Sequence, residues 1–154
     1  MQHITESYPP LASEFRSEAA VVVAGMRGLQ GAARLYRLVR GVHCAVLADG
    51  DGVLLGAEDV GRHNAVDKIA GLALQAGIDT RDRLLLTSGR ISSEMLAKAR
   101  RMAIPLVASR TAPTSTALRL ADAWGICVAG YVRRGGMRVY THGWRLGLDE
   151  GAGL

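Results

Sequence analysis

The sequence has few cysteines and few aromatic residues, and each shortage excludes a class of protein. Cys44 and Cys127 lie far apart and form no CxxC pair, which argues against a disulfide scaffold and is typical of a reducing cytoplasm. One Phe, two Trp and four Tyr are too few to fill a core. The core must therefore be aliphatic, as in an α/β sheet covered by helices.

Long apolar runs are also missing. No stretch is long enough to span a membrane, and the polar opening MQHITESYPP lacks the apolar segment of a signal peptide. We therefore expect no membrane association and a cytoplasmic protein.

Lysine is scarce, and arginine supplies all but two of the 19 basic residues, against 14 acidic ones. A guanidinium group binds phosphate or carboxylate through a planar fork of donors, so an anionic partner is one interpretation of this excess. A coding bias towards Arg and Ala is the other. No basic run typical of nucleic-acid-binding arms occurs, and we expect no nucleic-acid partner.

What is present indicates one α/β domain. With 154 residues, 49% of them hydrophobic, the chain can bury a core of its own. Pro9 and Pro10 favour a flexible arm over residues 1–12, the domain is predicted over 13–144, and a Gly-rich flexible tail over 145–154.

The order of elements predicts three α/β/α layers around a mixed sheet. A helix with glycine interruptions is expected over 13–39, and HCAVLA, DGDG and VLLGAE read as a hairpin. The next helix is expected to run to Ala76 and end at Gly77. Strands and helices then alternate as RLLLTS, SSEMLAKARRM, IPLVAS and APTSTALRLADAWG, and ICVAGYV and MRVYTH close the sheet around RRGG.

Polar loops follow three of the predicted strands, namely DVGRHN, SGRISSE and RTAPTS. Ligands in α/β sheets sit beyond the carboxyl ends of strands, and helix N-termini favour phosphate. Arg62, Arg90 and Arg110 would complete an anion site there. The alternative is that Ser88, Ser92 and Thr114 are helix caps and that Gly89 makes a tight turn.

Three other features each have two interpretations, and the cysteines have one. His63 is either a group that titrates near neutrality or a simple hydrogen-bonding residue. Asp59 and Asp67 either orient Arg62 and Lys68 or favour the helix start. Arg133 and Arg134 form either a phosphate-binding hairpin tip or an exposed turn. Cys44 follows His43 on a strand, so their side chains should point to opposite faces; a shared site is not expected, and Cys127 should lie in the core.

Together, GVHCAVL, EDVGRHNAVDK, SGRISSEM, IPLVAS, APTSTALRLA, GYV and VYTH resemble the carboxyl-terminal domain of the FdhD/NarQ family. The match runs from about Gln30 to His142 in the order and spacing of that family, whose members are formate dehydrogenase accessory proteins. The resemblance implies a cytidine deaminase-like fold, a dimer and a cytoplasmic sulfur carrier. Such a carrier accepts persulfide sulfur from a cysteine desulfurase and passes it to bis-molybdopterin guanine dinucleotide, which then enters formate dehydrogenase.

The resemblance also indicates site residues. The segment that matches the family's cofactor-binding stretch is Tyr131, Val132, Arg133, Arg134, Gly135 and Gly136. We expect Arg62, His63 and Arg90 to contact phosphate or base with that segment, and guanosine diphosphate to mimic the cofactor. Ser88, Gly89 and Thr114 would offer further donors, and Asp59 and Lys68 would position them.

Departures from the family pattern limit the expected activity. The family's CxxC persulfide loop is missing, Cys44 stands where the family usually has Ala, and Val39-Arg40-Gly41 replaces Thr-Gly-Gly. We expect no catalytic residue and no persulfide transfer by this chain alone, with Cys44 a poor candidate. The chain is then a truncated protein, half of a split protein that needs a CxxC-bearing partner, or a diverged stand-alone domain.

Two other functions are alternatives to sulfur transfer. The first is a non-catalytic binding module or chaperone for guanine nucleotide or molybdenum cofactor. The second is zinc hydrolysis, which the deaminase-like fold would permit; VHCAV lacks the nearby Glu and PCxxC is absent, so we expect no zinc.

Overall fold

The computed structural model describes residues 8–149, with only the backbone described at 36 and 37. Residues 1–7 of the predicted arm and 150–154 of the predicted tail lie outside the described residues. The helices are α1 Ala19–Ala32, α2 Arg34–Val39, α3 Arg62–Ala76, α4 Ser93–Arg101 and α5 Ser115–Trp124. The strands are β1 His43–Asp49, β2 Gly52–Asp59, β3 Leu84–Thr87, β4 Leu106–Ser109, β5 Cys127–Arg133 and β6 Gly136–Thr141, and a 3₁₀ turn covers Gly143–Leu146.

The six strands form one mixed sheet in the order β2-β1-β3-β4-β5-β6. β3, β4 and β5 are parallel to one another, whereas β1 is antiparallel to both of its neighbours and β6 is antiparallel to β5. The predicted hairpin and closing strands are therefore confirmed, and so is the α/β class with a mixed sheet.

Helices cover both faces of this sheet. One core cluster joins α3, α4 and α5 to one face, and a second joins α1 to the other. The strands alternate between the two clusters, so that Leu47 and Leu85 belong to the first and Val46 and Leu86 to the second. This is the predicted α/β/α arrangement; the likeness to cytidine deaminase stays a prediction.

Helix ends follow the local sequence chemistry. Gly77 and Gly125 close α3 and α5 in the left-handed conformation, with φ of 67° and 72°. Ser92 and Thr114 cap α4 and α5, because their hydroxyl oxygens accept hydrogen bonds from the N–H groups of Met95 and Ala117. None of the described helices is both long enough and apolar enough to cross a membrane.

The predicted helix over 13–39 is wrong at its start. Residues 13–18 are not helical, and the backbone N–H of Ser17 bonds to the carbonyl of Arg145 instead of to a neighbouring turn. α1 begins only at Ala19, and its break falls at Ala33 rather than at a glycine. Tertiary contacts explain why residues 13–18 are not helical, because a backbone N–H group that a helix would have used is bonded to a segment far away in the chain.

Gly25 and Gly28 of α1 face the sheet at close range instead of interrupting the helix. An added Cβ would collide with the Leu86 side chain at Gly25 and with the Val53 side chain at Gly28. Both glycines therefore let α1 pack close to the sheet.

The ends of the described chain are better anchored than the sequence predicted. The ring of Tyr8 meets the edge of Trp124 at 5.8 Å between centroids, and the Leu11 N–H bonds to the Trp124 carbonyl. Arg145 and Leu146, which the sequence assigned to a tail, are buried. The packed domain thus includes residues on both sides of the predicted 13–144 limits.

Candidate functional site

The polar loops that the sequence singled out lie at one edge of the sheet. Parallel strands β3, β4 and β5 end there, which brings together the Ser88, Arg110 and Arg133 regions. β1 runs the other way and starts there with His43, which pairs in register with Asp59 at the end of β2. The predicted convergence of strand ends is therefore present in the fold.

A cavity of about 570 Å³ opens at this edge between α1 and the β5–β6 turn. Its polar lining is Arg27, Gln30, Arg110, Arg133 and Arg134. Val23, Met26 and Val132 supply its apolar lining. We call it the arginine cavity.

The guanidinium groups of the arginine cavity have no carboxylate partner among residues 8–149. Within residues 8–149, none of its four arginines forms an ion pair or a side-chain hydrogen bond. Like charges in one cavity repel one another, and an anion with several negative charges would remove that cost. Such a ligand would also accept the guanidinium N–H groups through charge-assisted hydrogen bonds.

A smaller cavity of about 430 Å³ lies at the same turn and shares Arg133 with the first. Tyr131, Gly135, Gly136, Met137 and Arg138 complete its lining. Tyr131 is 43% exposed and has a φ of 52°, which is unusual for a bulky residue. Its N–H bonds to the Thr111 carbonyl, and the Arg138 guanidinium lies 5.7 Å from its ring centroid.

Arg62 and His63 lie at the start of α3, in the layer opposite α1. Arg62 packs on Gly89, where an added Cβ would approach Arg62 Cβ to 3.0 Å and His43 Nδ1 to 3.1 Å. Arg62 Nε and His63 Nδ1 are buried without a hydrogen-bond partner among the described residues. His63 Nε2 is 3.7 Å from a carboxylate oxygen of Glu94.

The expected cofactor-binding residues thus divide between the two faces of the sheet. Arg133 and Arg134 share the arginine cavity with Arg110, on the face covered by α1. Arg62 and His63 lie on the face covered by α3, and neither lines that cavity. Arg90 is exposed next to Gly89 and also lies outside the cavity lining.

Serine and threonine hydroxyl groups at the sheet edge connect the ends of β3 and β4 to each other and to the start of β1. Ser88 Oγ accepts a bond from the Cys44 N–H, and Thr87 Oγ1 accepts one from the Gly89 N–H. Ser109 Oγ donates to the Gly89 carbonyl at 2.6 Å. Of the two interpretations of Thr114, helix capping is the one that its contacts support.

Asp59 and Lys68, which the sequence analysis gave as positioning residues, form an ion pair with each other. Lys68 Nζ lies 2.8 Å from Asp59 Oδ2 and donates to the Glu58 carbonyl. Asp59 Oδ1 accepts from the Gly61 N–H and from Asn64 Nδ2, which fixes the entry into α3 just before Arg62. Asp67 orients neither Arg62 nor Lys68, as one interpretation had it, because its carboxylate pairs with Lys98 of α4.

The contacts of Asp59 predict how the stability of the fold depends on pH in the acid range. The hydrogen bond from Lys68, followed by that from the Gly61 N–H, lowers the pKa of Asp59 to about 2. A carboxylate with a depressed folded-state pKa stabilises the fold above its unfolded pKa of about 4 and loses that contribution as the pH falls towards 2. Denaturant melts of Asp59→Asn should therefore show a smaller loss of stability between pH 6 and pH 2 than the unmodified protein. Asp51→Asn in the β1–β2 turn is the control, and an unchanged pH profile for Asp59→Asn would contradict the prediction.

The cysteines are core residues, as predicted. Cys44 belongs to the cluster under α1, whereas His43 approaches Gly89 and Arg62 on the other side of the sheet. Burial raises the pKa of the Cys44 thiol to about 11 and that of Cys127 to about 12. The described residues contain no group of three or more His, Cys, Asp or Glu side chains placed to hold a metal ion.

Sequence reasoning missed Arg27, Gln30 and Arg138 as cavity-lining residues. Arg27 and Gln30 lie on a helix whose pattern gave no sign of which sheet edge it would cover. Arg138 lies two residues after Gly136 and is the single arginine of the MRVYTH strand, so composition gave no sign of its place.

Comparison with known proteins gives consistent results. The FdhD/NarQ family matches residues 1–147. The sulfur carrier protein FdhD of Staphylococcus aureus strain MRSA252 is 40% identical over 121 residues, which cover 79% of this chain and 46% of that protein. The protein of the same name from strain JH9 matches to the same extent. The chain therefore spans about half the length of the curated relatives it matches.

The fold is shared with a crystallised protein from Desulfotalea psychrophila that is described as a formate dehydrogenase accessory protein. The two superpose with a TM-score of 0.85 at 31% identity, over 95% of this chain and 62% of the other. The family match and the shared fold lead to the same conclusion, and the chain belongs to the FdhD/NarQ family.

Proposed function

We propose that the chain is a formate dehydrogenase accessory protein that takes part in sulfur transfer from a cysteine desulfurase to bis-molybdopterin guanine dinucleotide. Its own part would be to bind the cofactor, as the client of the reaction, through a guanosine diphosphate arm. The relatives' names, sulfur carrier and formate dehydrogenase accessory protein, support the process. A cytoplasmic homodimer and contacts with the desulfurase and the dehydrogenase belong to the same proposal.

The arginine cavity carries this proposal. Its four guanidinium groups lack carboxylate partners within residues 8–149, so they fit a ligand with adjacent phosphates. Its volume of about 570 Å³ lies in the range of small-molecule sites, which is roughly 300–1,000 Å³. Val23, Met26 and Val132 offer apolar surface for the uncharged part of a nucleotide.

The chain's residues would bind and orient the client, and the sulfur would come from elsewhere. A thiol with a pKa of about 11 or 12 is almost wholly protonated at neutral pH, and a protonated thiol is a poor sulfur acceptor. The same observation favours a second candidate function, a non-catalytic guanine-nucleotide or molybdenum-cofactor binding module or chaperone.

Calorimetry with guanosine diphosphate tests the binding site common to both candidates. We expect saturable binding that weakens as salt is raised, because exposed guanidinium–phosphate attraction is screened. Guanosine without phosphates is the control ligand and should bind far more weakly. Absence of binding at millimolar guanosine diphosphate would overturn both candidates. An assay of cofactor sulfuration with a CxxC-bearing partner then separates them, since a pure binding module adds no sulfur transfer.

The thiols give a separate prediction. After incubation with a cysteine desulfurase and cysteine, the intact mass of this chain should show no labile extra sulfur, because Cys44 and Cys127 are buried. A full-length CxxC-bearing relative is the positive control. A reducible mass increase of one sulfur atom that disappears in Cys44→Ala would contradict the prediction.

A further inference from the structure

α1 contributes one continuous stripe to the wall of the arginine cavity. Val23, Met26, Arg27 and Gln30 recur at helical spacing and therefore share one side of the helix. Because Gly25 and Gly28 bring α1 close to the sheet, this stripe faces the end of β5 and its turn.

The stripe differs chemically from the rest of the cavity. Arginine side chains have donors but no acceptor, so the β4 and β5 ends offer only donors through Arg110, Arg133 and Arg134. Apart from the weakly accepting thioether of Met26, Gln30 is the lining side chain, among the described residues, that can also accept a hydrogen bond. Its side-chain amide forms no hydrogen bond within residues 8–149 and is therefore available to a ligand.

We propose that Arg27 and Gln30 of α1 read the base of the nucleotide, while the arginines of the sheet edge hold its phosphates. This inference rests on the proposed function, and it names the residues that would make the cavity select guanine over adenine. Guanine places the O6 acceptor beside the N1–H donor, and Arg27 can donate to the first while Gln30 accepts from the second. Adenine places an amino donor at position 6, which would face the Arg27 donors, so the pair selects guanine.

The apolar residues of the stripe agree with this division. Val23 and Met26 lie one turn before Arg27 and Gln30, respectively, and Val132 lines the cavity from the sheet. A flat purine ring can pack on such surface, and a methionine thioether contacts aromatic rings favourably.

Titration calorimetry with guanosine diphosphate, adenosine diphosphate and inorganic pyrophosphate tests the assignment in the whole chain. The unmodified protein should prefer guanosine over adenosine diphosphate by about tenfold or more. Gln30→Leu and Arg27→Leu should each remove most of that preference by weakening guanosine diphosphate about tenfold, and Gln30→Leu should leave pyrophosphate affinity unchanged. Gln75→Leu, an exposed change on α3, is the matched control.

The outcomes separate the two proposals. If the unmodified protein binds guanosine diphosphate and both variants keep its preference over adenosine diphosphate, the role of α1 is wrong and the cavity assignment stands. If the unmodified protein binds neither guanosine diphosphate nor pyrophosphate, the proposed function fails and this inference fails with it.

Discussion

Replacing Arg133 and Arg134 together by glutamine is expected to weaken guanosine diphosphate binding by about 100-fold or more, since each charge-assisted hydrogen bond is worth roughly 1.5–3 kcal/mol. Both side chains are exposed at the β5–β6 turn and line the arginine cavity. Glutamine keeps a polar side chain there but removes the charge and the forked donors that phosphate requires. Titration calorimetry at low salt measures the loss.

The effect should come from the site and not from unfolding. Neither arginine packs in the core, so thermal melts of the double variant should overlay those of the unmodified protein. Arg101→Gln with Arg119→Gln, two exposed changes on α4 and α5, removes the same net charge elsewhere and controls for long-range attraction. If the turn variant binds guanosine diphosphate as tightly as this control, the arginine cavity is not the nucleotide site.

Replacing Arg145 by methionine should cost about 2–4 kcal/mol of unfolding free energy, because the partly buried carbonyl groups of Phe15 and Gly125 would lose their donor. Arg145 is only 1% exposed. Its Nε donates to the Gly125 carbonyl and its Nη1 to the Phe15 carbonyl, each at 2.9 Å. Its guanidinium also stacks on Trp144 at 4.2 Å from the ring centroid. Burial lowers the pKa of this guanidinium, which stays protonated.

The Arg145 variant is best measured by thermal and denaturant melts. For a chain of this size, the expected loss lowers the melting temperature by roughly 5–15 °C. Arg119→Met, on the exposed face of α5, should change it by very little. An Arg145→Met melting temperature within about 2 °C of the unmodified protein would show that the hydrogen bonds to residues 15 and 125 contribute no net stability.

Local chemistry made much of the fold predictable. The DGDG turn between two apolar runs, Gly77 and Gly125 after helical patterns, and capping by Ser92 and Thr114 each act within a few residues of the chain. The start of α1 was mispredicted for the opposite reason. The N–H groups of Leu11 and Ser17 bond to the carbonyls of Trp124 and Arg145, which are more than a hundred positions away.

The candidate site shows the same contrast. Its arginine-rich strand ends could be identified from the sequence, because the carboxyl ends of parallel strands meet at one edge. Their division between the two faces of the sheet could not, since Arg62 and Arg133 both lie near strand ends, yet Arg62 begins α3 on one face and Arg133 lines the arginine cavity beside α1 on the other. Arg27 and Gln30 carried no sequence signal, because nothing local fixes the edge that a helix will cover.

The sequence by itself determined the strands, most of the helices and the capped ends of α3, α4 and α5, and that guanidinium groups gather at one edge of the sheet. Only the tertiary structure decided which of those groups share a cavity and that α1 forms its other wall. The physical reason is that turns and caps depend on near neighbours in the chain, whereas strand order and the choice of sheet face depend on pairing and packing between residues far apart in it.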